Sequence, residues 1–233
     1  MKDKIEGLIS VFQKLIFYIS YYLNIFLTKK SKGVNWVVGV DEVASMVYLL
    51  GNVVKPSKTI SFSKNRFYEL KYDYHINIRS IYFAYIVKII YGPILLGYLA
   101  HKSSHFWYVW STGFLLDRDF EFKFLKSKGK KIVCMFVGDD IRTPRLMLEF
   151  CNGIGFDTFV DYVAEKHPNY LTDNYHNKKL VLAKSADKYA DIIFSASIDQ
   201  KSYLTKKQYF TPYMYDKNKF LYNADKFCNI EKI

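Results

Sequence analysis

The sequence predicts an α/β fold, doubly wound around a mostly parallel sheet, with an amphipathic helix at its N-terminus. Three observations predict it: short continuous apolar runs of strand length, segments of helical period between them, and turn residues at the joints. The 233 residues are half hydrophobic and 18% aromatic, enough for a substantial core, so the chain is not a disordered tail.

The first element is the segment KLIFYISYYLNIFLTKK, which carries no charge between Lys14 and Lys29. It falls short of the roughly 20 residues that a spanning helix needs, and no small-residue cleavage signal follows it. Ile9, Phe12, Ile16, Ile19 and Leu23 recur at helical spacing, while Tyr18, Tyr21, Tyr22 and the flanking lysines suit a headgroup layer. Two readings of residues 1–32 follow: an interfacial helix, or a helix packed on the domain's own core. The remainder, 33–233, reads as one Rossmann-like domain.

Within that domain, VNWVVGV at 34–40 is a continuous apolar run of strand length. In the following DEVASMVYLLGNVVK, Val43, Met46, Val47 and Leu50 trace a helical face. KTISF at 58–62 supplies the next strand. Strand, helix and strand within about 30 residues make a βαβ unit, whose strands lie parallel. IYFAYIVKIIYGPILLGYLAHK at 81–102 is broken by Lys88 and by Gly92-Pro93, and is expected to form two helical pieces. HFWYVWS at 105–111 is a strand, and DRDFEFKFLKSKG a helix with early acids, late bases and a closing Gly129. That order matches the helix dipole and a glycine C-cap, and the charges read as a solvated face. KKIVCMFVG is a strand, a helix begins near Thr143, and DIIFSAS at 191–197 is a further strand.

The strand at KKIVCMFVG runs straight into Gly138, Asp139, Asp140, Ile141 and Arg142. Open parallel sheets gather ligands beyond the carboxyl ends of their strands, so this loop is the candidate site. Gly138 allows close backbone approach, Asp139 and Asp140 accept hydrogen bonds from hydroxyls, and Arg142 suits a phosphate. A purely structural alternative has Asp139 or Asp140 capping the next helix, with Arg142 paired to one of them.

Charge bounds the partners. Lys and Arg number 34 against 22 Asp and Glu, a net charge of +12, which favours a polyanionic neighbour. The aromatics fall in apolar runs rather than between lysines and no nucleic-acid module pattern is present, so nucleic acid is the least favoured partner. Three cysteines without C-x-x-C spacing indicate neither a disulfide framework nor a zinc ribbon, and a reducing cytoplasm is the simplest setting. No G-x-G-x-x-G, Walker-type loop or H-E-x-x-H occurs, so neither a dinucleotide cofactor nor a metal is expected. Among the histidines, His105 stands out because it opens a strand beside an aromatic run.

HFWYVWSTGFLLDRDFEFKFLKSKGKKIVCMFVGDDIR, with the later YADIIFSASIDQKSYL and QYFTPYMYD, resembles the N-terminal, acceptor-side domain of GT-B fold glycosyltransferases. The resemblance is to the family 4-like enzymes of surface polysaccharide biosynthesis. It runs from about Val34 to Asp216 and is sharpest at GDDIR; Val137 stands where members often carry histidine. It implies a sugar transferred from a nucleotide-sugar to a lipid-linked acceptor, in capsule or O-antigen-type synthesis, peripherally at the cytoplasmic face of an anionic membrane. On this resemblance Asp139 and Asp140 are catalytic, and Gly138, Arg142, Ser111, Thr112 and Gly113 bind substrate. The donor is expected to bind mainly in a second domain that this sequence does not contain, and a separate donor-binding chain is one source of it. A non-catalytic membrane adaptor that recruits such a donor-binding chain is the alternative.

Overall fold

The computed structural model describes residues 2–29, 33, 35–62, 70–138, 140–155, 165–195, 204–211 and 214. Asp139 lies outside the described residues. Seven strands form one parallel sheet: β1 (Trp36–Val40), β2 (Ser57–Ser61), β3 (Tyr74–His75), β4 (His105–Val109), β5 (Lys131–Phe136), β6 (Ile192–Ser195) and β7 (Gln208–Phe210). Their spatial order is β3-β2-β1-β4-β5-β6-β7, so the chain winds outward from β1 in one direction and from β4 in the other. The fold is the doubly wound, Rossmann-like α/β fold that the alternation predicts, and every strand pair is parallel.

Six α-helices are described, α1 (Lys2–Leu27), α2 (Met46–Val53), α3 (Ile81–Lys102), α4 (Arg118–Ser127), α5 (Pro144–Gly153) and α6 (Asp173–Tyr189), with a short 3-10 turn at Pro168–Leu171 before the last. One core face carries Val37, Ile60, Phe106, Tyr108, Ile132, Cys134, Phe136 and Ile193 from the strands, packed on α3, α4 and α6. The other carries Val38, Val109 and Met135 against Met46, Val47 and Leu50 of α2. Alternate residues of one strand serve opposite faces, as the pleat requires.

α3 corrects the expectation of two pieces, because the helix runs unbroken through Gly92-Pro93. A proline inside a helix costs about 3 kcal/mol. Leu95, Leu96, Leu99 and Ala100 are buried beyond it, and each large apolar side chain contributes about 1.5–3 kcal/mol. Packing therefore offsets the local break.

α1 packs one face on the domain. Phe17 sits edge-on to Phe124 at 4.6 Å, Ser20 Oγ donates to the Ile94 carbonyl at 2.8 Å, and Lys14 lies 2.6 Å from the Asp117 carboxylate. The opposite face leaves Leu8, Val11, Leu15, Ile19, Leu23 and Phe26 exposed. Core packing holds for the first face, while the second is apolar and uncovered.

In α4 the solvated-face reading fails for two residues. Glu121 is fully buried and Arg118 nearly so, because positions 118, 121, 122 and 125 share the stripe that meets the sheet. Asp117 caps the helix through the Phe120 amide at 3.0 Å, and Gly129 closes it at φ 70°.

Candidate functional site

The order reverses between β1 and β4, so the crevice of this sheet lies beyond Val40 and Val109. Three loops reach it, after β1, β4 and β5. The first two contain every non-glycine residue of positive φ among the described residues: Ala44 (50°), Ser45 (67°) and Trp110 (69°). Such conformations cost about 1–3 kcal/mol each and cluster at functional sites.

The loop after β1 carries Asp41 and Glu42. Glu42 accepts from the Val47 and Tyr48 amides at 3.3 and 3.1 Å, and from the Tyr72 hydroxyl at 2.8 Å. It thus caps α2, which Ser45 at the N-cap position does not. Burial pushes its carboxyl up, against the pull of those bonds. Asp41 is half-buried and accepts a hydrogen bond from the Thr112 hydroxyl of the loop after β4.

That second loop, with Ser111, Thr112 and Gly113, is braced from beneath by the first turn of α4. Arg118 Nη1 donates to the Ser111 carbonyl at 2.7 Å, and Nη2 lies 3.3 Å from Cys134 Sγ. Its guanidinium stacks over Phe122 at 4.6 Å. Glu121 accepts from the Phe114 and Leu115 amides at 3.3 and 2.9 Å and from the Tyr108 hydroxyl at 2.5 Å. Burial raises the Glu121 carboxyl, with these donors and Arg118 opposing, and burial beside Glu121 drives the Tyr108 phenol well above its usual range. Gly113 is required by this brace, since a Cβ there would stand 2.6 Å from Glu121 Oε2.

The loop after β5 is organised by Asp140, which is fully buried. Its carboxylate accepts from the Val137 and Gly138 amides at 3.1 and 3.3 Å, and burial raises it against those bonds. The cap of α5 falls instead to Thr143, whose hydroxyl accepts from the Leu146 amide at 3.3 Å. Arg142 is half-buried beside it, and Gly138 backs onto the Trp110 ring, which a Cβ would meet at 3.6 Å. The β4 and β5 loops are thus in contact.

The structure therefore brings Ser111, Thr112, Gly113, Gly138, Asp140 and Arg142 to one end of the sheet. Compared with known proteins, the chain matches no family model, no curated protein and no solved structure. Asp41 and Glu42 escaped the sequence reading, although the signal was present: two acids directly after an apolar strand, as at Asp139 and Asp140.

Two features lie elsewhere. His105 is at the amino end of β4, its Nδ1 2.9 Å from Ser104 Oγ and its ring 4.5 Å from Trp36; burial and Lys131 lower its pKa. A cavity of about 320 Å³ lined by Trp36, Lys58, Tyr98 and Lys102 opens at the same far edge. Its cations are engaged, Lys58 with Asp73 at 2.7 Å and Lys102 with the Lys29 carbonyl.

Proposed function

We propose that the chain is the acceptor-side part of a GT-B type glycosyltransferase working on a lipid-linked sugar at the cytoplasmic face of a membrane, in surface polysaccharide synthesis. The observation that carries this reading is the Asp41–Thr112 contact at the switch point, flanked by the Gly138–Arg142 loop. A carboxylate at the crevice rim is suited to accept the proton of an acceptor hydroxyl. As that oxygen bonds to the anomeric carbon, the bond from carbon to the nucleotide's phosphate breaks and the nucleotide diphosphate leaves. Arg142 suits the acceptor's own diphosphate. Asp140, its carboxylate engaged by loop amides, positions Gly138 and Arg142. The donor-side domain closes the crevice, in whichever chain it resides.

The internal engagement of Asp140 and Glu42 also favours the second reading, a non-catalytic adaptor. Titration with a short-chain lipid-diphosphate sugar tests both. Binding by the wild type and its loss in Arg142→Ala support an acceptor site; no binding by the folded wild type sinks it. Transfer that survives Asp41→Asn in a reconstituted system leaves the adaptor. A parallel titration with nucleotide-sugars reports whether this chain holds the donor as well.

A further inference from the structure

We propose that α1 and α3 together form a single apolar face that lies in the plane of an anionic leaflet, with the crevice opening directly above it. The inference rests on the membrane part of the reading above and not on its chemistry.

The two helices run side by side in the same direction. Gln13 Nε2 donates to the Ile89 carbonyl at 3.3 Å, Ser20 Oγ to that of Ile94, and His101 Nε2 lies 3.0 Å from the Thr28 carbonyl. Gly97 lets them close up, since a Cβ there would fall 2.7 Å from the Tyr21 amide nitrogen. On the outer side of α1, Leu8, Val11, Leu15, Ile19, Leu23 and Phe26 repeat at helical spacing and are exposed. On the outer side of α3, Tyr82, Ile86, Ile90 and Ile94 do the same, with Tyr82 80% exposed. By length and composition both helices suffice to cross a membrane, which corrects the expectation for the first, since α1 extends N-terminally beyond its uncharged run.

A helix apolar on its outer face as well as its packed one is suited to hydrocarbon. Spanning is opposed by Lys14–Asp117 and by Phe17 on Phe124, which fasten the middle of α1 to α4. The charges also favour an in-plane pose. Lys4 and Lys29 stand at the ends of α1, Arg79 and Lys102 at the ends of α3. Between them, Lys14 is paired, and Lys88 folds over the Phe62 ring at 5.7 Å. Glu6 points to the domain side, where Lys178 approaches to 3.9 Å. An interfacial helix sinks its apolar face about 5–10 Å, which leaves such ends among headgroups. The net charge of +12 selects an anionic leaflet.

The geometry also sets the crevice over the membrane. Tyr91 meets Phe62 at 6.3 Å, and a Cβ on Gly92 would stand 2.4 Å from the Phe114 carbonyl oxygen. Phe62 and Phe114 follow β2 and β4, so residues 81–90, about 15 Å of helix at 1.5 Å per residue, extend past the carboxyl ends of these strands, with Ala84 and Val87 still packed on the core. This ledge floors the approach to the crevice, and a lipid-borne headgroup has only to rise past it.

The test is co-sedimentation with vesicles of equal parts phosphatidylcholine and phosphatidylglycerol, without sugar or nucleotide, so its outcome is independent of transferase activity. The expected result is binding by the wild type. It should weaken at least about tenfold both in Leu15→Glu and in the pair Ile86→Glu with Ile90→Glu, since losing one buried large apolar side chain exceeds a decade of affinity. Val181→Glu, equally exposed on α6, should bind as the wild type does, and all variants should melt with it. Undiminished binding by the α3 pair overturns the proposal. So does a lipid-free dimer, seen by analytical ultracentrifugation, that the same substitutions dissociate.

Discussion

Asp41 and Thr112 meet across the junction of β1 and β4, the Thr112 hydroxyl donating to the Asp41 carboxylate. Two loops far apart in sequence are thereby held in one register at the mouth of the crevice. Thr112→Val keeps the shape and removes the donor. Transfer is expected to fall at least about tenfold while unfolding free energy changes by about 1 kcal/mol, the net worth of one hydrogen bond. Equal losses in both, read from turnover and urea melts, would make the contact structural.

The brace beneath the β4 loop gives a larger effect. Glu121→Ala strands the Phe114 and Leu115 amides and the Tyr108 hydroxyl. The expected loss is about 3 kcal/mol or more, each buried unpaired donor costing about 1–3 kcal/mol. Because burial raises the Glu121 carboxyl, the folded state holds its proton to higher pH than the unfolded chain does. Its contribution is thus fully present below the usual carboxylate pKa and is lost as pH rises through the folded value. Glu121→Gln should flatten that decline in urea midpoints measured across pH.

Asp191 works in the opposite sense. Burial disfavours its ionisation, but Lys126 at 2.8 Å, the Ile132 amide at 2.8 Å and Lys131 overcome this and hold the carboxyl below its usual value. Its contribution is present above the unfolded pKa, about 4, and is lost as pH falls through the lower folded value. Asp191→Asn should reduce stability at neutral pH and leave a shallower acid limb.

Gly97→Ala should separate α1 from α3. The added carbon would lie 2.6 Å from Ser20 Oγ and 2.7 Å from Ser20 Cβ. A cost of about 1–3 kcal/mol is expected from overpacking, with near-ultraviolet dichroism perturbed more than far-ultraviolet. A variant as stable as the wild type would show that the helices are not tightly docked.

What the sequence disclosed follows from how local each signal is. β1, β2, β4, β5 and β6 lie within two residues of their apolar runs, since strands buried on both faces are continuous and rich in branched residues. β3 and β7 were silent: Tyr74-His75 and Gln208–Phe210 are edge strands too short and polar to make a run. Gly92-Pro93 misled because punctuation is read locally, while the burial that overrides it comes from the sheet and from α1. Glu121 misled in the same way, its charge outweighing its position one turn before Leu125. The site was half visible: the loop after β5 stood out, while Asp41 gained meaning only when the topology set it against Thr112.

The sheet order has a consequence for how the chain first assembles. β1 pairs with β4 in the register Trp36 to His105, so the central ladder closes a stretch of nearly seventy residues. At a synthesis rate of about 5–20 residues per second, β1 waits several seconds for that partner. Until then β2 covers one edge of β1 and the other stays open, and the nascent chain is at its most aggregation-prone before the middle of its own sheet exists.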